Sequence, residues 1–445
     1  MLPAQDILVL SDLHLAPERG AGLFQADEML VGFLNWVLEQ DSQLVYVVIA
    51  GDLLDFLVPQ EKGEKLKAFD PQSAPQRTRS ILDWHPEVFD ALGRIAGSSR
   101  HRLIVLNGNH DPELILPAVQ QVIENGLASG GASSTLRWLV HGEAARFQVG
   151  TVEVSIEHGD LFDDWNRVDR DGLRRAVSRI SRGFIQEHGF HAPPGSQLVL
   201  DFLTELRNQF PWVDYLKPER EAVIPIINHF LPIQRRADLL RALQPWLRYR
   251  GNALETLGLK LLPPVELIRG PGDRISKRKK LADWLKGQKE QVLRRFQEAR
   301  REKLLEHLRV ASAEDGYFDL ESPDDAAGEI AQILDQGTDL FIQGHTHAAK
   351  AYPLGSRGLY LNTGTWGQLL ALPRSGDTEE VWYAFLESLE GCRQRDFVRP
   401  TYAHIHRNSA EGTTSANLYQ WTVSGPMSLA RFHFSNDQRI WMKEV

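Results

Sequence analysis

The chain opens with a short apolar run, "DILVL" at 6–10, that ends in a polar cluster, and this pairing recurs along its length. "LVYVVIA" (44–50) and "RLIVL" (102–106) are further runs of strand length, rich in β-branched residues. Between the first two, Leu30, Phe33, Leu34, Val37 and Leu38 repeat at helical spacing within 25–39, and a second helix is expected near 86–97. Strands joined by helices imply βαβ units and a mainly parallel sheet. From Leu136 to His158 the rhythm shortens to "LRWLVH", "ARFQV" and "VEVSIEH", divided by Gly142-Glu143 and Gly150. This reads as antiparallel hairpins.

Residues from about 165 to 320 break the alternation. They are rich in Leu, Arg, Gln and Glu, are punctuated by prolines, and read as a string of helices. Helix followed by strand resumes with "AAGEIAQILDQG" (326–337) and "DLFIQG" (339–344), and strands are expected at 347–353, 358–362 and 380–388, with short runs to Val445. The pattern predicts an α/β core in two pieces, 1–164 and 325–445, interrupted by a helical insertion at 165–324.

Composition bounds this picture without changing it. The 445 residues are 42% hydrophobic and 24% charged, as in an ordinary globular protein. One cysteine, Cys392, excludes an internal disulfide framework and suits a reducing, cytoplasmic setting. The first fifteen residues lack a basic n-region and a cleavage site, so no signal peptide is expected. No apolar run reaches 18 residues, so no transmembrane segment is expected. The net charge of −9 is unevenly spread: Arg274 to Arg309 holds thirteen Lys/Arg against five Asp/Glu, about +8, leaving about −17 elsewhere.

The chemistry sits where the strand runs end. Asp12 and His14 follow the first; Gly51, Asp52 and Asp55 follow the second. "NGNHD" (107–111), with Asn109, His110 and Asp111, follows the third; His158-Gly159-Asp160 follows "VEVSIE", and Gly344-His345-Thr346-His347 follows "DLFIQ". Each alone is an ordinary turn or cap. In open α/β sheets, however, sites form outside the carboxyl ends of the strands, so all five loops can converge. Imidazole and carboxylate together suit Zn²⁺, Fe or Mn²⁺ rather than an all-oxygen Mg²⁺ or Ca²⁺ site. D-x-H and H-x-H spacing on extended backbone puts both side chains on one side. Glycines before Asp52, Asn109 and His345 and after His158 are expected to allow sharp turns. His404 and His406 in "YAHIHR" share the H-x-H spacing, but no glycine-rich turn or carboxylate accompanies them locally, and they read as one side of a half-exposed strand.

The ordered set D-x-H, G-D-x-x-D, G-N-H-D, H-G-D, G-H-T-H resembles the calcineurin-like metallophosphoesterase superfamily over about 1–164 and 325–365. The resemblance implies a four-layer α/β/β/α sandwich and a centre of two divalent ions, Mn²⁺ foremost, with Fe or Zn²⁺ as alternatives. It implies Asp12, His14 and His347 on one ion, Asn109, His158 and His345 on the other, and Asp52 between them. A water acidified by the pair would attack phosphorus, His110 would assist the leaving group, and Asp111 would orient His110. Asp55, Asp160 and Asp163 are candidates for supporting carboxylates. "SDLHL", "GDLLDF" and "HGD" are also similar to the branch that hydrolyses UDP-2,3-diacylglucosamine. That branch has a short cap and commonly carries arginine where this chain has His110.

The insertion is expected to cap the site. Arg167, Arg170, Arg174, Arg175, Arg179 and Arg182 near its root can face substrate phosphates or form a solvated helix face. The basic segment could meet nucleic acid or an anionic membrane surface, or be a long amphipathic helix burying Leu281, Trp284, Leu285, Val292, Phe296, Leu304 and Leu308. The expected activity is hydrolysis of a phosphomonoester or phosphodiester of a small molecule or nucleotide. Its rivals are a nuclease, a lipid-linked nucleotide pyrophosphohydrolase, and a metal-binding scaffold without activity.

Overall fold

The computed structural model describes residues 1–17, 22–40, 44–60, 64–128, 135–184, 190–200, 207, 212–217, 226, 298, 301–306, 308, 309, 312, 317–390 and 397–444. Cys392 and most of the basic segment 274–309 lie outside them. The chain divides into two compact units: Met1–Tyr215 with Gly316–Leu370 and Arg395–Val445, and Leu216–Asp315 with Ala371–Gln394.

The described strands are β1 (Leu2–Ala4), β2 (Asp6–Leu10), β3 (Val45–Ala50), β4 (His101–Leu106), β5 (Leu136–Leu139), β6 (Ala145–Val149), β7 (Val152–Ile156), β8 (Leu216–Lys217), β9 (Leu340–Gln343), β10 (Ala349–Leu354) and β11 (Gly358–Thr363). They continue with β12 (Gln368–Ala371), β13 (Phe397–Val398), β14 (Thr401–Asn408), β15 (Thr413–Thr422), β16 (Gly425–Ser435) and β17 (Ile440–Lys443). Helices α1 (Asp27–Glu39), α2 (Ala74–Trp84), α3 (Pro86–Gly97), α4 (Pro117–Leu127), α5 (Arg170–Ile180), α6 (Pro194–Leu198), α7 (Ala327–Asp335) and α8 (Glu379–Glu390) join them.

Two large sheets organise the first unit. One runs β17-β16-β15-β14-β2-β3-β4-β5, the other β1-β6-β7-β9-β11-β10. In the first, β2 to β5 are parallel and β14 to β17 antiparallel, with β14 antiparallel to β2. The expected mainly parallel sheet is therefore parallel in only half of its strands. Both faces of its centre are covered, which is why β2 and β3 read as unbroken apolar runs. Leu8, Leu10, Val47, Ile49, Leu103 and Val105 pack with α1, α3 and α4. Their alternates Ile7, Val9, Val48 and Ile104 pack with Phe147, Val154, Ile156, Leu340 and Leu361 of the other sheet. On that sheet's far face, Phe341, Tyr352 and Tyr360 cluster with Ile330 and Leu334 of α7.

Two expectations change. β5 does not belong to a hairpin series; it extends the first sheet parallel to β4, while β6 and β7 form the one antiparallel pair in that stretch. Residues 380–388 lie in helix α8 rather than a strand, because Trp382, Leu386 and Leu389 recur at helical spacing and are buried on one face. Within the second unit, Arg301 and Arg309 of the basic segment lie over Tyr383 and Trp382 and pair with Glu387 and Glu379. Leu304 and Leu308 are buried, as an amphipathic helix requires, while Leu281, Trp284, Leu285, Val292 and Phe296 lie outside the described residues. No helix among the described residues is long and apolar enough to cross a membrane.

Candidate metal centre

The carboxyl ends of β2, β3, β4, β7 and β9 deliver five loops to one place, and the first three are laced together. Asp12 and His14 donate backbone N–H groups to the carbonyls of Gly51 and Asp52, Asp55 returns one to Leu15, and Phe56 donates to the carbonyl of His110. From the second sheet, Gly344 N–H donates to the His158 carbonyl, and the His345 N–H donates to the Asp12 carboxylate at 2.9 Å.

The backbone is strained where the polar side chains sit. Six non-glycine residues among those described have left-handed backbone: Asp12, His14, Asp52, His345, His347 and Arg439. Five of the six are expected metal ligands. Such conformations cost roughly 1–3 kcal/mol each and persist where the surroundings over-determine them. The glycines serve the turns and the close packing of the site in different ways, and Gly159 is left-handed. Gly51 is left-handed too, but Gly108 is not, and its role is close approach: a Cβ there would stand 2.1 Å from Asp52 Oδ1 and 2.7 Å from His158 Nε2.

The donor atoms form three overlapping groups, Asp12 with His14 and His347, Asp12 with Asp52 and His158, and His14 with Asp55 and His110, each with its atoms within 4.8 Å of one another. His14 Nε2 faces His347 Nε2 at 3.0 Å. His347 Nε2 lies 3.4 Å from Asp12 Oδ1, and His158 Nε2 lies 3.4 Å from Asp52 Oδ2. His158 Nδ1 donates to the Ala50 carbonyl at 3.0 Å, which directs Nε2 toward Asn109 Oδ1 at 3.1 Å. A neutral His158 would then set one acceptor against another. A proton on Nε2, a rotated Asn109 amide or a metal ion beside the two atoms each satisfies the contact. The donor set therefore fits divalent transition ions.

The electrostatics have the same cause. Asp12, Asp52, Asp55 and Asp111 are all buried. Burial works to raise the Asp12 carboxyl, but its hydrogen bond and charge contact with His347 hold it at about 2. Burial likewise opposes the ionised form of Asp52, and the charges of His158 and His110 outweigh it, placing the carboxyl well below its ordinary range. His158 is driven the other way: burial lowers it, yet Asp52 prevails and raises it to about 10. Asp111 is pushed up to about 7, first by burial and then by the charge of Asp52.

His345 belongs to none of these three groups, and His110 and Asp111 make contacts that differ from those expected. His345 lies beside His158, ring centroids 5.2 Å apart, while its Nε2 meets Asp163 Oδ2 at 3.1 Å, so Nδ1 is the atom left for a metal. His110, with a side chain 19% exposed, stands edge-on to His14 at the open side of the cluster. The carboxylate at its Nδ1 is Asp55, 3.1 Å away. Asp111 instead accepts the backbone N–H groups of Gly108 and Leu54, holding the turn that carries Asn109 and His110. The orienting contact thus moves from Asp111 to Asp55, whose other oxygen lies 3.7 Å from His14 Nδ1.

Asp160 accepts a bidentate pair from Arg170 and an N–H from Val168, so this arginine braces the loop instead of facing solvent. Arg167 and Arg174 pair with Asp164 and Asp171, and Arg179 lies over the Phe184 ring.

Sequence reading missed the support from the end of β11. Thr365 Oγ1 donates to the Asp12 carbonyl, Asn362 Nδ2 to the Gly344 carbonyl, and Ser11 Oγ bonds both Thr363 Oγ1 and Asp12. The signal was available as the polar "NTGT" at 362–365 after an apolar run.

No family model matches the chain, and no curated protein matches it. Similar solved structures include wild-type Vps29 complexed with Zn²⁺ from Entamoeba histolytica, at 12% identity and TM-score 0.29, covering 97% of this chain and 99% of that one. Another is a conserved uncharacterized protein, a predicted phosphoesterase, from Streptococcus pneumoniae, at 8% identity and TM-score 0.24, covering 96% and 97%. The chemistry of the centre therefore rests on its own atoms.

Proposed function

We propose that this chain is a dinuclear metal-dependent phosphohydrolase of the calcineurin-like metallophosphoesterase type, with a four-layer α/β/β/α sandwich carrying the centre and 165–324 as a helical insertion. The observation that carries the reading is the left-handed backbone at Asp12, His14, Asp52, His345 and His347, five Asp and His residues whose loops meet at one end of the sheets. Asp12, His14 and His347 would hold one ion and Asn109, His158 and His345 the other, with Asp52 shared. Bound divalent ions supply Lewis-acid stabilisation of phosphoryl oxygens and acidify water.

The chain's own residues do the rest. Asp55 accepts from His110 Nδ1 and leaves Nε2 as the atom that exchanges a proton with the ester oxygen. The same carboxylate stabilises the imidazolium that gives up this proton to the leaving oxygen. Asp163 fixes the His345 ring, and the Ala50 carbonyl fixes His158 in the tautomer whose Nε2 points inward. Arg207 donates to the Leu57 carbonyl beside the Asp55 loop, an attachment of the 165–324 stretch close to His110.

A small phosphoester or nucleotide is favoured over nucleic acid, since Arg301 and Arg309, described arginines of the basic segment, are engaged with α8. The test combines metal analysis with rates on bis-p-nitrophenyl phosphate, p-nitrophenyl phosphate, cyclic nucleotides and single-stranded DNA. Metal-dependent turnover of one of the small esters is expected. Turnover of DNA alone, falling steeply between low and moderate salt, would favour the nuclease reading. Bound metal without turnover of any substrate would favour the scaffold.

A further inference from the structure

A second cluster of metal-ligand type stands at the other end of β2. His404 and His406 on β14 are two residues apart and share a face; across the strand pair, His406 is in register with Asp6 of β2 and His404 with Leu8. Asp6 Oδ1 lies 2.8 Å from His404 Nε2 and 2.8 Å from His406 Nδ1. The carboxylate missing from the neighbourhood of "YAHIHR" in sequence is thus supplied from 398 and 400 residues away. The three donor atoms lie within 4.8 Å of one another.

Two imidazoles on one carboxylate oxygen are poorly explained as an ion pair. If both were protonated, two cations with ring centroids 5.9 Å apart would share one negative charge. Neutral rings can each donate an N–H to Asp6 Oδ1, and in the other tautomer the same two nitrogens, His404 Nε2 and His406 Nδ1, carry lone pairs turned toward the carboxylate. A neutral His with an adjacent carboxylate is ligand chemistry for a transition ion. The exposure is graded as such a site requires: the Asp6 side chain is buried, while His406 is 44% exposed and leaves one side open to water.

We propose that Asp6, His404 and His406 form a separate Zn²⁺ site with three protein ligands and a solvent position, joining β2 to the C-terminal antiparallel strands. The site uses ordinary strand geometry, and the ion would clamp the β2–β14 seam. A ligand set assembled only in the folded chain makes metal affinity a contribution to folding. The inference does not depend on the activity assigned to the other centre.

The test uses Zn²⁺ alone on the full chain. With the other centre disabled by Asp12→Asn and Asp52→Asn, one Zn²⁺ per chain should remain after dialysis, and Zn²⁺ should raise the thermal midpoint. Adding His404→Gln and His406→Gln should abolish both the bound equivalent and the shift. Retention of that equivalent without the two histidines, or no binding before they are removed, would overturn the proposal in favour of a hydrogen-bonded triad. A second measurement covers variants that fail to fold. Anomalous scattering at the zinc edge from Zn²⁺-soaked crystals of the unaltered protein should place a peak among Asp6 Oδ1, His404 Nε2 and His406 Nδ1. Absence of that peak, with metal present at the other centre, would also overturn it.

Discussion

Asp6 and Asp12 lie six positions apart, at the start of β2 and just beyond its end, and each meets histidines from an H-x-H pair. The two surroundings differ in backbone and in burial. Around Asp12, five of the seven proposed ligand residues occupy left-handed conformations, and glycines clear space for them. Around Asp6, β2 and β14 pair in regular register, and the histidines are half-buried. The same residue types thus occur once in a strained, enclosed arrangement and once in a relaxed, open one. Strain and enclosure fix polar atoms before a substrate arrives, as catalysis requires. Ordinary strand geometry suffices to hold an ion or an ion pair.

That contrast is sharpest in rates. His110→Ala should retain bound metal and lower phosphoester hydrolysis by about 10²–10⁴-fold, whereas His406→Gln should leave the rate unchanged. Parallel assays on bis-p-nitrophenyl phosphate read both, and an equal loss in the two variants would erase the distinction. Asp55→Asn should follow, with roughly a 10–100-fold loss in kcat/KM, the usual cost of removing a carboxylate that orients a functional imidazole. If Asp111→Asn reproduced that loss with metal retained and Asp55→Asn did not, the orienting role would return to Asp111.

Metal affinity at the Asp12 end should depend on pH with a definite sign. His158 is held at about 10 in the metal-free protein, against burial and by Asp52, so a metal must displace its proton. Affinity should therefore rise with pH across the neutral range, and isothermal titration in buffers of different ionisation enthalpy should detect the released proton. A pH-independent affinity would contradict the ligand assignment.

The smallest effect expected concerns stability. Glu113 is buried and pushed up to about 8 by that burial. Its stabilising contribution is full below the ordinary glutamate range and is lost as pH rises through about 8. Glu113→Gln should therefore flatten the decline of the urea midpoint across that window.

The ligand loops were legible because each follows a strand-length apolar run and sets glycine beside Asp, Asn or His. The parallel βαβ portion was legible for a related reason: strands buried on both faces read as unbroken runs. What escaped reading depends on tertiary neighbours. Whether β5 continues the sheet beside β4 or folds back on β6 is settled by which edge is free, and its own four residues carry no sign of it. Asp55 was visible in sequence as one carboxylate among several, and only the lacing of loops 12–15 and 52–56 puts it against two imidazoles. Asp6 read as the first residue of a strand, since its partners lie near the opposite end of the chain. Residues 380–388 were a different kind of miss, because the helical period of Trp382, Leu386 and Leu389 was present locally.

The central claim is that Asp52 is shared by two ions at the end of the parallel strands. It is tested most directly by Asp52→Asn, with bound metal and hydrolysis of bis-p-nitrophenyl phosphate measured on the same samples as the unaltered protein. The account predicts that the variant loses the metal held at this centre together with metal-dependent turnover. Full metal occupancy with an unchanged rate would contradict it.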